Sequence, residues 1–187
     1  MSEVMIDIET LSTMPNALIL TIGAIIFDRN DTIKELKDCK QFYYKVEKSS
    51  CEKFDMHVDP ETKKWWSRQS KDAQYEVFYD ENNRLPLYEV LKNLNEFIKD
   101  CSYVWSNSPN FDCVILENAF RKCDIEVPWK FWQLRDARTV YDIGHVNLKY
   151  ESGGEIAHNS LHDCYNQIRA LQKAIYNINS KKRKFVK

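Results

Sequence analysis

Two carboxylates lie within a short apolar stretch near the N-terminus, Met5-Ile6-Asp7-Ile8-Glu9-Thr10. The stretch predicts a β-strand, and side chains in a strand alternate between the two faces of a sheet. Asp7 and Glu9 therefore share one face, about 7 Å apart, while Ile6 and Ile8 point into a core. Neighbouring anions beside a core repel each other unless a cation lies between them. The pair predicts either a site for a hard cation such as Mg²⁺ or Mn²⁺, or an acidic strand edge in solvent.

Two later segments place further acidic and imidazole side chains at the ends of predicted elements. Asp112 follows Asn110 and Phe111 at the start of a predicted helix. His158 lies in a polar loop, and Asp163 lies in the first turn of the last predicted helix. Each also has an ordinary explanation, since aspartate caps helix N-termini, a first-turn acid complements the helix dipole, and a loop histidine is usually solvated. The residues taken singly leave these explanations open.

The hydrophobic pattern predicts a single mixed α/β domain. Three early strands are expected to form a meander, and two later strands complete a five-stranded sheet flanked by helices. Apolar residues at three- and four-residue spacing predict amphipathic helices, and an aspartate followed by proline predicts one helix start. The predicted strands are Met5–Thr10, Ala17–Phe27, Gln41–Val46, Ser102–Ser106 and Trp129–Arg135. The predicted helices are Asp59–Trp66, Lys71–Tyr79, Leu87–Ile98, Asp112–Lys122, a turn over Thr139–Ile143, and Leu161–Ile178.

Glycine positions and one basic run supply further expectations. Gly23, inside the second predicted strand, indicates a bulge or a close approach by another segment. The polar segment 147–159, which contains Gly153-Gly154, predicts a mobile loop that carries His158. We divide the chain into a domain over residues 1–179 and a basic tail over 180–187. The tail either contacts phosphates or is simply solvated.

Composition excludes some classes of protein. A formal net charge of -1 over 187 residues gives no overall basic character, so any binding of a polyanion must be local. No apolar run reaches the ~18 residues of a membrane helix, and Met1-Ser2-Glu3 does not resemble a basic signal region. Six cysteines without metal-ligand spacing predict reduced, mostly buried thiols. We therefore expect a cytoplasmic protein that has no membrane partner.

Three motifs together resemble the DEDDh 3'–5' exonucleases of the DnaQ-like, RNase T superfamily. Asp7-Ile8-Glu9-Thr10 matches the first motif, and Asn110-Phe111-Asp112 matches the second. His158 and Asp163, with four residues between them, match the third, whereas the tyrosine subgroup would need tyrosine where this chain has Asn159. The three motifs occur in the order found in the family and together span the chain from Asp7 to Asp163. The segment from Asp59 to Ser70 further resembles the phage DexA and mycobacterial-type exoribonuclease branch.

The resemblance implies an RNase H-like fold and a metal-dependent 3'–5' exonuclease that releases nucleoside 5'-monophosphates from single-stranded DNA or RNA. It implies two Mg²⁺ or Mn²⁺ ions held by Asp7, Glu9, Asp112 and Asp163. These ions would clamp the attacking and leaving oxygens of an in-line displacement. His158 would act as the general base, since its ordinary pKa lies near ~6.5. A homodimer is also expected because relatives pair, although nothing in the residues requires one.

Substrate contacts are assigned to residues near the first two motifs and to two tryptophans. Leu11 would pack as a wedge on the terminal base, and Thr10 would contact the terminal sugar. Adjacent helical residues cannot both face one groove, so of the two tryptophans at least one is expected in the core, with the other stacking on bases. The residues assigned to substrate binding are Thr10, Leu11, Trp65, Trp66, Asn107 and Phe111.

Three other readings of the sequence remain. The same metal site would also suit a hydrolase of short oligonucleotides or dinucleotides. A nucleic-acid-binding module with decayed catalytic machinery is disfavoured because every motif position keeps its carboxylate or imidazole. An acidic surface for protein interaction would not need the spacing between His158 and Asp163. No motif reports on the 2'-hydroxyl, so the choice between DNA and RNA stays open.

Overall fold

A computed structural model of the chain describes residues 2–33, 35–150 and 158–184, and of residues 150 and 181–184 it describes the backbone alone. Within these residues one sheet is formed by β1 (Glu3–Thr10), β2 (Ile19–Phe27), β3 (Lys40–Val46), β4 (Arg84–Leu85), β5 (Val104–Ser106) and β6 (Leu134–Asp136). The order across the sheet is β4-β3-β2-β1-β5-β6.

Helices cover both faces of the sheet in the described part of the chain. Asp59 begins the second helix as predicted, because its carboxylate accepts hydrogen bonds from the backbone N–H groups of Glu61 and Thr62. A short first helix was not predicted, and the last helix runs on into the predicted basic tail. The helices are α1 (Lys48–Glu52), α2 (Pro60–Trp66), α3 (Lys71–Phe78), α4 (Leu87–Ile98), α5 (Asp112–Lys122), α6 (Ala137–Gly144) and α7 (Ser160–Lys184).

The predicted meander is confirmed, since β1 pairs antiparallel with β2 and β2 pairs antiparallel with β3. β5 runs parallel to β1, and β6 runs parallel to β5. The predicted count of five strands is wrong, because β4 adds a sixth strand beside the end of β3. β4 has only two residues, too few to show the alternation by which a strand is recognised in a sequence.

Parallel pairing decides where the functional side chains meet. The carboxyl ends of β1, β5 and β6 lie at one edge of the sheet, and such edges commonly form ligand sites in α/β folds. Asp7 and Glu9 lie near the carboxyl end of β1, Asn107 directly follows β5, and Arg138 lies in the turn of helix that follows β6. The topology therefore gathers segments that are far apart in the sequence.

Each face of the sheet packs against its own apolar cluster. Ile6 and Ile8 lie in the larger cluster with residues of α4 and α5, as the alternation predicts. Met5 lies in the second cluster, where Cys164 and Ile168 of α7 cover the other face. Asp7 and Glu9 alternate onto this second face, so the N-terminal part of α7 is the element that packs beside them.

Gly23 allows α7 to approach the sheet closely, as one of the two predicted roles of this glycine requires. A Cβ atom at Gly23 would overlap the backbone of Ser160 and Leu161 at the start of α7. Next to it, the hydroxyls of Thr21 and Ser160 are 3.0 Å apart and share a hydrogen bond. Gly23 lies directly opposite Asp7 in the β1–β2 ladder. This contact sets the distance between the first turn of α7 and the two carboxylates of β1.

Gly23→Ala is expected to lower the free energy of unfolding by about 1–3 kcal/mol, the usual cost of overpacking a core. The rate of hydrolysis should fall by more than the loss of folded protein accounts for. The reason is that the displaced start of α7 carries the residues of the third motif. Gly144→Ala is the matched control, since its Cβ atom would meet α7 at Ala174, far along the helix. Urea unfolding and turnover of both variants check this. Equal losses of turnover in the two variants would contradict it.

Several other expectations have outcomes in the structure. All six cysteines are free, as predicted, and five of them are buried. Gly153-Gly154 lies outside the described residues, so the predicted loop there stays a prediction, as does the boundary between residues 179 and 180. No helix in the described ranges combines the length and apolar composition that a membrane crossing needs. The cytoplasmic location stays a prediction.

Candidate active site

Three carboxylates from two elements meet at the carboxyl end of β1. One oxygen from each of Asp7, Glu9 and Asp163 lies within 4.8 Å of the others. Asp163 reaches the pair from the first turn of α7, the position that the third motif predicts. Mg²⁺ takes oxygen ligands at about 2.1 Å, so oxygens this close need only small movements to share an ion. An all-oxygen set of this kind fits Mg²⁺ or Mn²⁺.

Asp112 joins this group from α5. Its Oδ1 accepts a hydrogen bond of 3.3 Å from the backbone N–H of Ile8, which lies between the two β1 carboxylates in sequence. The alternative that Asp112 is the N-cap of its helix is wrong, because Phe111 occupies that position and Asp112 is the first helical residue. The carboxyl group is buried against β1. Asp112 is near enough to Asp7 that its charge contributes to the raised pKa of Asp7, so the two carboxyl groups belong to one site.

The four carboxylates do not readily carry four negative charges together. Burial, and then repulsion from Asp112, Asp163 and Glu9, raises the pKa of Asp7 well above its ordinary value. The pKa of Glu9 is also raised well above its ordinary value, first by burial and then by Asp163 and Asp112. Burial raises the pKa of Asp112 to about 7, although the hydrogen bond from the backbone N–H of Ile8 opposes the shift. A divalent cation would remove this repulsion, which is why the set suits a metal site.

Gln167 is a site residue that the sequence analysis missed. Its Nε2 donates a 2.7 Å hydrogen bond to Oδ1 of Asp7, and this bond opposes the rise in the pKa of Asp7. Gln167 lies one helical turn after Asp163 on the same face of α7. That four-residue spacing was the signal in the sequence that could have revealed it.

His158 lies against the carboxylates from the other side. Its Nδ1 is 3.7 Å from Oε1 of Glu9, and its side chain is one-third exposed. The ring meets Trp65 edge to face, with 4.8 Å between the ring centroids. Partial burial lowers the pKa of His158 below its ordinary value, so the neutral ring that can accept a proton predominates at neutral pH.

The two tryptophans of α2 divide as the helix geometry predicts. Trp66 is 2% exposed and its Nε1 donates a 2.9 Å hydrogen bond to the carbonyl oxygen of Thr10, so it is a core residue. Trp65 is 39% exposed and lines a mostly apolar cleft of about 390 Å³. We call this the Trp65 cleft; its walls are Ile8, Glu9, Thr10, Thr13, Glu61, Thr62, Trp65 and Phe111. Trp65 is therefore the tryptophan that a base can reach.

Leu11 is not placed to act as a wedge. Its side chain is 4% exposed, packs in the same cluster as Ile6 and Ile8, and does not line the Trp65 cleft. Thr10 does line the Trp65 cleft, but its hydroxyl already donates a 2.6 Å hydrogen bond to the carbonyl oxygen of Ser12. The assignment of Leu11 is therefore corrected, while a contact from Thr10 to the substrate stays a prediction.

The four carboxylates share a second cleft, of about 490 Å³, which we call the carboxylate cleft. It opens beside the Trp65 cleft, because Ile8, Glu9 and Phe111 line both. The two remaining residues assigned to substrate binding, Asn107 and Phe111, lie in its wall. The other residues of this wall are Asp7, Ile8, Glu9, Ser108, Asp112, Arg138, Leu148, His158, Asp163 and Gln167.

Substitution of each tryptophan should separate binding from stability. Trp65→Ala is expected to weaken oligonucleotide binding by about 1–3 kcal/mol, the value of one base–aromatic stack, and to change the melting temperature little. Trp66→Ala should lower the free energy of unfolding by about 3–5 kcal/mol, because it opens a cavity in the core. Fluorescence anisotropy with a labelled oligonucleotide and urea unfolding measure the two effects. Unchanged binding by Trp65→Ala would remove Trp65 from the substrate site.

Comparison of the sequence with known proteins relates this chain to nucleases. Residues 2–175 match the family of the 3'-5' exoribonuclease Rv2179c-like domain. The exodeoxyribonuclease of Enterobacteria phage T4 is 26% identical over 210 residues, which cover 94% of this chain and 89% of the phage protein. The family match spans residues 2–175 and therefore the positions of all three motifs.

Two solved structures share the fold. Escherichia coli exonuclease I, in a complex with single-stranded DNA, superposes with a TM-score of 0.64 at 14% identity, covering 97% of this chain and 41% of that one. Cell-death related nuclease 4 superposes with a TM-score of 0.62 at 15% identity, covering 94% of this chain and 64% of that one. This chain thus spans less than two thirds of either neighbour. The RNase H-like fold implied by the motifs is confirmed.

Proposed function

The chain belongs to the family of 3'-5' exoribonuclease Rv2179c-like domains, and from that premise we propose that it releases nucleoside 5'-monophosphates from single-stranded DNA or RNA with two divalent cations. The exonuclease family that the three motifs predict is confirmed, and the chain is a 3'–5' exonuclease. The observation that carries the mechanism is the cluster of Asp7, Glu9 and Asp163 with His158 beside Glu9.

The donor set fits the metal that this proposal requires. Asp7, Glu9, Asp112 and Asp163 would hold two Mg²⁺ or Mn²⁺ ions, because carboxylate oxygens with raised pKa values gain most from a nearby cation. Ions held by these residues would supply an activated water and stabilise negative charge on the reacting oxygens. Gln167 keeps Oδ1 of Asp7 in a hydrogen bond, which leaves the other oxygen to turn toward an ion.

His158 is the proposed general base. Its Nδ1 faces Oε1 of Glu9, and its lowered pKa keeps the ring neutral at neutral pH, so that one ring nitrogen can accept a proton. It would accept a proton from the attacking water at this nitrogen, as general bases do when they lie within reach of the nucleophile. The edge-on contact with Trp65 holds the ring toward the cleft.

The Trp65 cleft is the proposed site of the terminal nucleoside. The scissile phosphate would lie in the adjoining carboxylate cleft, with Phe111 and Asn107 in its wall. A decayed binding module is disfavoured, because all four carboxylates and the histidine are present and gathered. Hydrolysis of short oligonucleotides or dinucleotides is retained as the second candidate, because the same two clefts would accommodate a single phosphodiester with its 3' nucleoside.

Digestion of 5'-labelled single-stranded DNA and RNA, each with Mg²⁺ or Mn²⁺, tests the proposal. Wild type should shorten the label in a ladder from the 3' end and release nucleoside 5'-monophosphates, and Asp7→Ala should not. The substrate that is digested faster shows whether the enzyme prefers ribose or deoxyribose. The relatives include both an exoribonuclease family and an exodeoxyribonuclease. Turnover of dinucleotides without any ladder would select the second candidate. The homodimer stays a prediction, which sedimentation velocity of the purified chain tests.

A further inference from the structure

A third cleft continues the carboxylate cleft on the side away from the Trp65 cleft. It has a volume of about 560 Å³ and lies against α6, so we call it the α6 cleft. It shares five wall residues with the carboxylate cleft: Asn107, Arg138, Leu148, Asp163 and Gln167. Its other walls are Tyr141, Asp142, Val146, Asn147, Lys149 and Asn166. The three clefts form one continuous path across the carboxyl edge of the sheet.

Charge is distributed unequally along this path. Among the described residues that line the Trp65 cleft there is no lysine or arginine, and Glu9 and Glu61 are present instead. The α6 cleft contains Arg138 and Lys149, set against Asp142 and the shared Asp163. The guanidinium of Arg138 is exposed and forms no ion pair in the part of the chain that the structure describes. The cationic groups along this path thus line the α6 cleft, with Arg138 at its junction with the carboxylate cleft, and none lines the Trp65 cleft.

Two amide groups in the same wall also have unused hydrogen-bonding capacity. Within the described chain, Oδ1 of Asn166 and Oε1 of Gln167 are buried and accept no hydrogen bond. The orientation of Gln167 follows from its hydrogen bond to Asp7, since Nε2 must face that carboxylate. A buried acceptor without a donor is unfavourable, and a ligand donor that reached these oxygens would relieve that cost. Nucleosides carry such donors on the sugar and the base.

These observations fit the polarity of a strand that is digested from its 3' end. Beyond the scissile phosphate, the terminal nucleoside carries no further phosphate, which suits a cleft without cations. On the other side, the strand continues through further phosphodiesters, each of which carries a negative charge. A planar guanidinium binds two oxygens of one phosphate, and a lysine adds a point charge.

We propose, on the basis of the exonuclease function above, that the α6 cleft is a second nucleotide subsite in which Arg138, with Lys149, binds the phosphodiester on the 5' side of the scissile one. The nucleoside between the two phosphates lies along Asn166 and Gln167. A dinucleotide has only the scissile phosphodiester, whereas a trinucleotide also fills this subsite. The subsite therefore makes the enzyme prefer substrates with at least two phosphodiesters.

Arg138→Gln tests the subsite with dinucleotides and trinucleotides that carry no terminal phosphate, as oligothymidylates and oligouridylates. Loss of a charge-assisted hydrogen bond should lower the ratio of kcat/KM for trinucleotide to that for dinucleotide by about tenfold. The dependence of kcat/KM on salt concentration for the trinucleotide should become weaker, because one contact between a cation and a phosphate is lost. A purely structural role of Arg138 would move neither quantity.

Arg121→Gln is the matched control, because Arg121 is exposed on α5 and lines none of the three clefts. It should leave the ratio and the salt dependence at the wild-type values. Lys149→Gln should lower the ratio in the same direction as Arg138→Gln but by less, since lysine lacks the bidentate fork. Equal losses on both substrates in Arg138→Gln, or no loss on either, would overturn the subsite.

Equilibrium dialysis of the same oligonucleotides in EDTA separates this proposal from the function on which it rests. If wild type cleaves neither substrate, the proposed function fails, but binding still decides the subsite. Tighter binding of trinucleotide than of dinucleotide, lost in Arg138→Gln and kept in Arg121→Gln, supports it. Equal affinity of wild type for the two lengths overturns it.

Discussion

Asp7→Asn is expected to abolish hydrolysis while raising the stability of the metal-free protein at neutral pH. Removal of an outer-shell partner of a metal ligand typically costs about 10- to 100-fold, so loss of the ligand itself should lower turnover at least about a thousandfold. The asparagine keeps the shape of Asp7, and its Oδ1 can still accept the hydrogen bond from Gln167. Lost turnover would therefore reflect the missing charge and not a disrupted site.

The expected gain in stability follows from the raised pKa of Asp7. A carboxyl group whose folded pKa lies above its unfolded value stabilises the fold fully below the unfolded value, and that contribution is lost as pH rises through the folded pKa. Metal-free wild type should therefore lose stability as pH rises from the unfolded carboxyl values of about 4 through the raised folded values, of which that of Asp112 is about 7. The loss should be smaller in Asp7→Asn, which has one ionisable group fewer.

Thermal unfolding at several pH values, in EDTA and in Mn²⁺, measures both parts of this prediction. Mn²⁺ should raise the melting temperature of wild type, because a ligand that binds only the folded state stabilises it. Asp7→Asn should show a much smaller rise. Asp100→Asn, at an exposed carboxylate outside the three clefts, is the control and should behave as wild type does. An equal response of Asp7→Asn to Mn²⁺ would exclude Asp7 as a ligand.

His158→Gln should lower kcat by about 100- to 10,000-fold, the usual contribution of a general base. The melting temperature should still rise with Mn²⁺, because the four carboxylates are unchanged. Since burial lowers the pKa of His158, the acidic limb of the wild-type pH–rate profile should lie below the ordinary ~6.5 of histidine. The variant should lack that limb.

His145→Asn is the matched control for the histidine substitution. His145 ends α6 in a left-handed conformation at φ 53°, which asparagine tolerates well, and it lines none of the three clefts. Its pH–rate profile should match that of wild type. Turnover of His158→Gln close to wild type at neutral pH would assign the proton transfer to another group.

Local patterns were sufficient for much of the fold. The start of α2 at Asp59, the helical spacing of α4 and α7 and the three-strand meander follow from interactions between residues close together in the chain. β4 escaped prediction because two residues carry no periodicity. Its pairing with β3 is decided by the neighbouring strand and not by its own sequence.

The residues assigned to substrate binding show what local sequence patterns cannot predict. The sequence predicted that at least one of Trp65 and Trp66 is buried, but only packing decided that Trp66 is the core residue. Leu11 looked available because it follows the first motif, yet it packs beside Ile6 in the larger cluster. No sequence pattern indicated that Arg138 lies near the carboxylates, because its position there depends on the parallel pairing of β6 with β5.

By itself, the sequence determined that Asp7 and Glu9 share one face of a strand, because alternation is a property of the backbone of that strand alone. Its three motifs also predicted the four carboxylates and the histidine as site residues. The tertiary structure alone decided how these groups meet: Gly23 admits the start of α7, and Ile8 holds Asp112. It also decided that Gln167 bonds to Asp7 and that Arg138 extends the cleft. Contacts between segments so far apart in the chain depend on the packing of the whole domain, which no local pattern contains.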